Sequence, residues 1–410
     1  MSCRVVLTGR AALTPLGNAP TEIFERLCAG ERAIAEVELA VPAGAAATAG
    51  RLIGARVANF QPADYLPRRT LRALDRPAAL LSSAAKLALA DAGLSSGDTA
   101  NGGEIGVVVG SRYSSMSTIA SFDRRVLDEG PRCASPMDFA NTVLNAAAGQ
   151  TAIQHGLREL NATIAAGASS GLRAIAYAVD LVRSGRAVAL LAGGVEELSY
   201  ESALALRGTD RLSESVAGAT PFAANREGVA PAEGVGLLVV EELEHARARG
   251  ARILAEFGGN ASGFDPRAPG SEPSVDVLTR IAASAIAASG LEASAIDLVS
   301  TGGSGSPELD RAEARALAEV VDPAAAWIAV KAALGEGLGS ASALQVLVAA
   351  ECICDGRVPG ISGLTTPEPG LLVPADSAQT RRVHPSQALV LSVGSDDLSC
   401  ALVLSRWRPE

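Results

Sequence analysis

The sequence predicts an α/β protein assembled from two similar halves. Short β-branched runs alternate with helical patterns along the whole chain, the pattern of helices packed on a sheet. Its 410 residues exceed what one ordinary core organises, so two lobes or a duplicated unit are expected. Hydrophobic residues at 48% against 20% charged supply a large core and exclude disorder.

Taken in order, strands are expected at 4–8, 105–109, 187–192, 236–241, 253–258, 298–301 and 388–393. Helices are expected at 21–28, 71–92, 170–184, 275–289 and 310–320. Gly30, Gly93, Gly185 and Gly290 each follow a periodic segment, as C-capping glycines do. The helix after residue 169 reads most clearly. Leu172, Ile175, Val179 and Val182 form one apolar face, while Arg173, Asp180 and Arg183 stay polar. Ser169 or Ser170 is expected to cap it, and AVALLAGG follows as a buried strand. The charged stretch LEHARARGAR, after the apolar run GLLVVEE, suggests a seam, giving halves 1–250 and 251–410.

Composition removes several classes of function. A net charge of −10 and 3% aromatics argue against a phosphate-binding surface and a base-stacking platform, so no nucleic acid is expected. Six scattered cysteines without a CxxC pair, and three histidines, give neither a disulfide scaffold nor zinc-ligand spacing. Cys352 and Cys354 read as core thiols and His155 as a structural imidazole. The glycine pairs Gly193–Gly194 and Gly302–Gly303 lack nucleotide-binding context. No cofactor and no metal are expected. The opening MSCRVVLTGRAALTPLG has no apolar signal core, and no run of about 20 apolar residues exists. A soluble cytoplasmic protein without membrane contact is the expectation. Lysine occurs only at Lys86 and Lys331, which makes each worth explaining.

Longer segments carry a resemblance. VVLTGRAALTPLGNAPTEIFERLCAGERAI, RRTLRALDRPAALLSSAAKLALADAGL, the 63-residue stretch from SPMDFANT to LLAGGVEE, and TPFAANREGVAPAEGVGLLVVEE follow one another across most of the chain. Together they resemble the elongating β-ketoacyl-acyl carrier protein synthases and their polyketide relatives. The resemblance implies a thiolase-type duplicated five-layer αβαβα architecture and an obligate dimer.

It also implies an active site that this chain does not fill. Such enzymes hold the acyl chain on a cysteine at a helix N-terminus and use two histidines and a lysine in decarboxylative condensation. Aligned on the family motifs, Ala168 stands at the nucleophile position and Gly302 at the first histidine, with Asp310 and Glu313 as the trailing acids. Glu336 stands at the second histidine, Lys331 is retained, and VGSDDLS at 393–399 replaces the glycine-rich gate. A methyl group cannot be acylated.

The resemblance therefore implies a non-catalytic chain length factor, or ketosynthase β, subunit of a polyketide or polyene synthase. It would pair as a heterodimer with an active ketosynthase and shape the tunnel for a chain grown on phosphopantetheine of an acyl carrier protein. Met116, Ile119 and Ala120, on one helical face, and Phe139 are the expected tunnel residues. Arg68, Arg69 and Arg72, in a basic run continuing to Arg76, are the candidates for carrier-protein docking. A solvated helix face is the plain alternative for that run. The competing readings are a rewired acyl enzyme using Glu336 with Ser169 or Ser170, and a homodimeric acyl- or carrier-binding pseudoenzyme. Serine needs an activating base, and the motifs place none beside either one. Lys331 is expected to pair with Glu336 or Glu313, and Glu336 with Lys331 or an arginine.

Overall fold

The computed structural model describes residues 3–42, 50–94, 105–209, 211–266, 272–374 and 376–409. Its framework is one ten-stranded sheet. The first five strands are β1 (Val5–Leu13), β2 (Ile105–Gly110), β3 (Asn161–Ile164), β4 (Ala189–Glu196) and β5 (Gly234–Glu242). The second five are β6 (Ala255–Phe264), β7 (Leu298–Ser300), β8 (Ala326–Ile328), β9 (Gln387–Ser392) and β10 (Leu398–Ser405).

Their spatial order is β8-β7-β9-β10-β6-β1-β5-β4-β2-β3. In the first half β1 pairs antiparallel with β5 and β5 with β4, while β4–β2 and β2–β3 are parallel. Adding five to each number describes the second half. There β6–β10 and β10–β9 are antiparallel, and β9–β7 and β7–β8 parallel. The halves join where Val6 faces Glu256 and Leu7 faces Ala255. This repeated wiring is the duplication that the chain length suggested.

The principal helices are α1 (Pro20–Cys28), α2 (Arg76–Asp91), α3 (Met116–Glu129), α4 (Ala146–His155), α5 (Ser170–Arg183), α6 (Tyr200–Thr209), α7 (Val275–Ala288), α8 (Pro307–Val320) and α9 (Gly339–Asp355). Strand side chains alternate between faces, so each half has two apolar surfaces to cover. Leu190, Leu238, Val390 and Leu402 point toward α5 and α9, which form a shared inner layer. Leu191 and Leu237 point the other way, toward α2 and α4. Leu389 and Val403 face α7 and α8. The result is the five-layer αβαβα architecture.

The inner layer is held very close to the sheet. A Cβ at Gly171 on α5, or at Gly194 on β4, would collide with the Gly339 carbonyl oxygen at the start of α9. Glycine at these positions brings the two helix starts onto the strand ends, where the site lies.

Several expectations need correcting. The second helix begins at Arg76, not at residue 71, because Asp75 caps it by accepting the Ala78 N–H at 3.1 Å and Pro77 occupies its first turn. Strands β3, β8 and β10 were not anticipated. The four expected C-cap glycines all adopt positive φ: Gly30 at 76°, Gly93 at 68°, Gly185 at 70° and Gly290 at 71°. The segment with the paired cysteines is helical, so Cys352 is buried while Cys354, two residues on, is exposed and is not a core thiol. His155 is buried with Nε2 2.8 Å from the Ser82 carbonyl, and burial holds its pKa below the ordinary imidazole value. No helix among the described residues is long and apolar enough to cross a membrane. No group of three or more His, Cys, Asp or Glu among them could hold a metal ion.

Candidate functional site

Ala168 lies in a single 3₁₀ turn, Gly167–Ser169, that leads directly into α5. This is the helix N-terminus where a cysteine thiolate would gain from the dipole. The side chain there is a buried methyl, packed among Leu206 of α6, Val229 and Leu338, with Tyr113 and Leu212 at the edge. Apolar side chains fill the space around the nucleophile position.

Neither neighbouring serine is prepared for nucleophilic attack. Ser169 Oγ lies 3.1 Å from both the Leu398 carbonyl and Ser392 Oγ. Ser170 Oγ donates to the Gly167 carbonyl at 2.6 Å and accepts the Ala166 N–H at 2.9 Å. Their recorded partners are backbone groups and another serine, so no base activates them. They do not cap α5 either, contrary to expectation: they knit the turn to itself and to the β9–β10 connection.

Gly302 follows β7. Its N–H donates to Glu313 Oε1 at 2.6 Å, while Ser304 and Gly305 donate to the Asp310 carboxylate at 2.9 and 3.3 Å. The two acids thus hold the backbone of the loop that follows β7. Both are fully buried, and both pKa values are raised by desolvation, Glu313 up to about 8. A Cβ at Gly302 would stand 2.8 Å from the Val393 nitrogen, so the neighbouring backbone leaves no room for a side chain there.

Glu336, at the second histidine position, pairs with Lys331 rather than with an arginine. Lys331 Nζ donates to Glu336 Oε2 at 2.7 Å, and the two side chains are only 1% and 7% exposed. Glu336 Oε1 accepts the Leu338 N–H at 2.9 Å, supporting a residue with φ of +50°. The Lys331 ammonium is thus paired with the Glu336 carboxylate in a buried setting. That leaves Glu336 with both oxygens engaged.

Sequence reasoning missed Asp396. Its Oδ2 accepts the Ala168 N–H at 2.8 Å, and Arg112 Nη1 lies 3.7 Å from the same oxygen. The altered gate motif was a signal that this loop differs, though not that it folds onto residue 168.

None of the expected tunnel residues belongs to the apolar cluster around Ala168. Met116, Ile119 and Ala120 are half-buried on α3, a helix with no fully buried residue. Phe139 ends a one-turn helix, is 60% exposed, and has its ring 5.8 Å from that of Phe122. Around them Leu127, Met137, Val143 and Leu144 are also exposed, forming an apolar surface that this chain leaves uncovered. Arg68, Arg69 and Arg72 are exposed. Arg76 does not belong with them: its guanidinium binds buried Glu233, with Nε 2.8 Å from Oε2.

Residues 2–246 match the family model for the β-ketoacyl synthase N-terminal domain, and residues 254–365 that for the C-terminal domain. The 3-oxoacyl-[acyl-carrier-protein] synthase 2 of Vibrio cholerae is 30% identical, over 98% of this chain and 99% of that protein. The solved ishigamide ketosynthase/chain length factor is 26% identical with a TM-score of 0.89, covering 100% of both chains. A chain of the solved complex of a type II polyketide synthase acyl-carrier protein with its ketosynthase bound to the hexaketide shares the fold, at 23% identity and a TM-score of 0.86 over 100% of both chains. With its doubled sheet and two matching domains, this chain belongs to the β-ketoacyl synthase family.

Proposed function

We propose that this chain is a non-acylating, chain-length-factor-type subunit that pairs with an active ketosynthase. One observation carries the reading. All three catalytic positions have changed together, to Ala168, Gly302 and Glu336, in a chain whose fold is otherwise intact. The surroundings agree with the loss, since a methyl, an intruding backbone and a closed Lys331–Glu336 pair occupy the old cavity. The partner would supply the cysteine and both histidines, and the acyl carrier protein would deliver the growing chain. The exposed apolar surface around α3 supports a partner subunit on that side. The solved ketosynthase/chain length factor makes such a pairing the natural comparison. Exposed Arg68, Arg69 and Arg72 are suited to an acidic carrier protein.

The test is co-expression with a Cys–His–His ketosynthase, followed by native and intact-mass measurement after exposure to acylated carrier protein. A one-to-one complex, with acyl groups on the partner alone, is expected. An acyl adduct on Ser169, Ser170 or any other residue of this chain would overturn the reading.

A second prediction concerns product length. If the α3 face closes the growth tunnel at the dimer interface, its side-chain volume sets where the chain stops. Ala120→Phe should shorten products, and Met116→Ala or Ile119→Ala should lengthen them, in the reconstituted complex. Phe139→Ala is expected to act in the same direction as the two truncations. Product profiling decides: an unchanged length distribution with proportionally lower turnover would make these residues interface packing only.

A further inference from the structure

The loop that replaces the glycine-rich gate folds back onto the turn carrying Ala168. Asp396 Oδ2 accepts the Ala168 N–H at 2.8 Å, a charge-assisted bond at the positive end of α5. Gly167 has φ of +57°, and a Cβ there would collide with the same carboxylate. Gly394 faces the Ala168 methyl so closely that a Cβ on it would stand 2.9 Å away. Arg112 Nη1, 3.7 Å from Oδ2, offsets the carboxylate's charge from the other side. Beyond it, Asp397 takes φ of +62° and its carbonyl accepts the Asp265 N–H at 2.8 Å, which anchors the loop.

The amide of a nucleophile-bearing residue, at a helix start, is where a thioester oxygen would gather negative charge during acyl transfer. Here a resident carboxylate already occupies it. We propose that Asp396 is a built-in occupant of the oxyanion position, excluding acyl thioesters from this chain's own half-site independently of the missing thiol. The inference rests on the non-acylating reading and names the group that enforces it. It has a direct chemical consequence. A thiol restored at 168 would stand beside a carboxylate, so its thiolate would be disfavoured and its acyl transfer unsupported.

The experiment compares Ala168→Cys with Ala168→Cys/Asp396→Asn and Ala168→Cys/Asp396→Ser. Each is made in the full chain, together with whatever partner co-purifies. The readout is the rate of iodoacetamide alkylation at position 168 against pH. Peptide mapping separates that thiol from Cys3, Cys28, Cys133 and Cys354, which are not fully buried. The double variants should react about tenfold or more faster at pH 7.5, with a titration midpoint lower by about one unit or more. Rates and midpoints within twofold and about 0.3 unit of the single variant would overturn the proposal. If neither double variant folds, the single variant decides. A thiol midpoint at or below the ordinary value of about 8.5 overturns the proposal, because a buried thiol beside a carboxylate must titrate above it. An acyl adduct on the unsubstituted chain would instead sink the non-acylating reading, a result that equal alkylation rates would not produce.

Discussion

Lys331→Met should destabilise the protein by about 3–5 kcal/mol, because it strands the Glu336 carboxylate in a buried site. The pair sits 2.7 Å apart with side chains 1% and 7% exposed, so water cannot replace the lost ammonium. Among the described residues, the Leu338 N–H at 2.9 Å is the donor left to Glu336. Lys331→Met/Glu336→Gln should recover at least half of the loss. That double variant removes both charges and keeps an acceptor for the Leu338 amide, and replacing a buried pair by neutral groups is often close to neutral. Denaturant unfolding at fixed protein concentration measures both, since any oligomer makes stability concentration-dependent. A cost below about 1 kcal/mol for the single variant would mean that the pair is solvated and not shut off from water. A double variant as unstable as the single one would place the cost in lost lysine packing instead of stranded charge.

The four positions singled out in the sequence were legible because they lie inside long, ordered motifs. Of Ala168, Gly302, Lys331 and Glu336, the last two bear out the expected pairing, their five-residue spacing closing into a buried contact. Continuous apolar strands such as β4 and β5 were visible for the same local reason: consecutive buried residues need no periodicity. Where structure depends on distant partners, the sequence was silent. Strand β3 has four residues and β8 three, too short for a pattern, and they exist because β2 and β7 offer edges to pair with. Helix α9 is buried almost all round, so it has no polar stripe to reveal its period. Ser169 and Ser170 look like caps in sequence, yet their hydroxyls are taken by Leu398, Ser392, Gly167 and Ala166. Asp396 meets the Ala168 amide from 228 residues away, through a loop turn that no local pattern encodes.

Glu313→Gln should flatten the pH dependence of stability between about pH 5 and 8. The carboxyl is fully buried in the fold, and desolvation, with Asp310 nearby adding to it, pushes its pKa up to about 8. The Gly302 N–H and Lys331 oppose that shift without cancelling it. The unfolded chain releases this proton near the ordinary carboxyl value of 4.5, so between 4.5 and about 8 the folded state holds one proton more. Stability from this group is therefore fully present below pH 4.5 and is lost as pH rises toward 8, on the order of 5 kcal/mol in all. Glutamine keeps a carbonyl oxygen for the Gly302 N–H, 2.6 Å away in the parent, and cannot ionise. The variant should match the parent within about 1 kcal/mol near pH 5 and exceed it near pH 8. Glu197, raised to about 7 by its own burial, retains part of the slope in both proteins. The comparison must therefore be made on the difference between the two curves. A constant offset from pH 5 to 8 would show that Glu313 is ionised throughout, and that the loop carrying Gly302 is held by a carboxylate instead of a neutral acid.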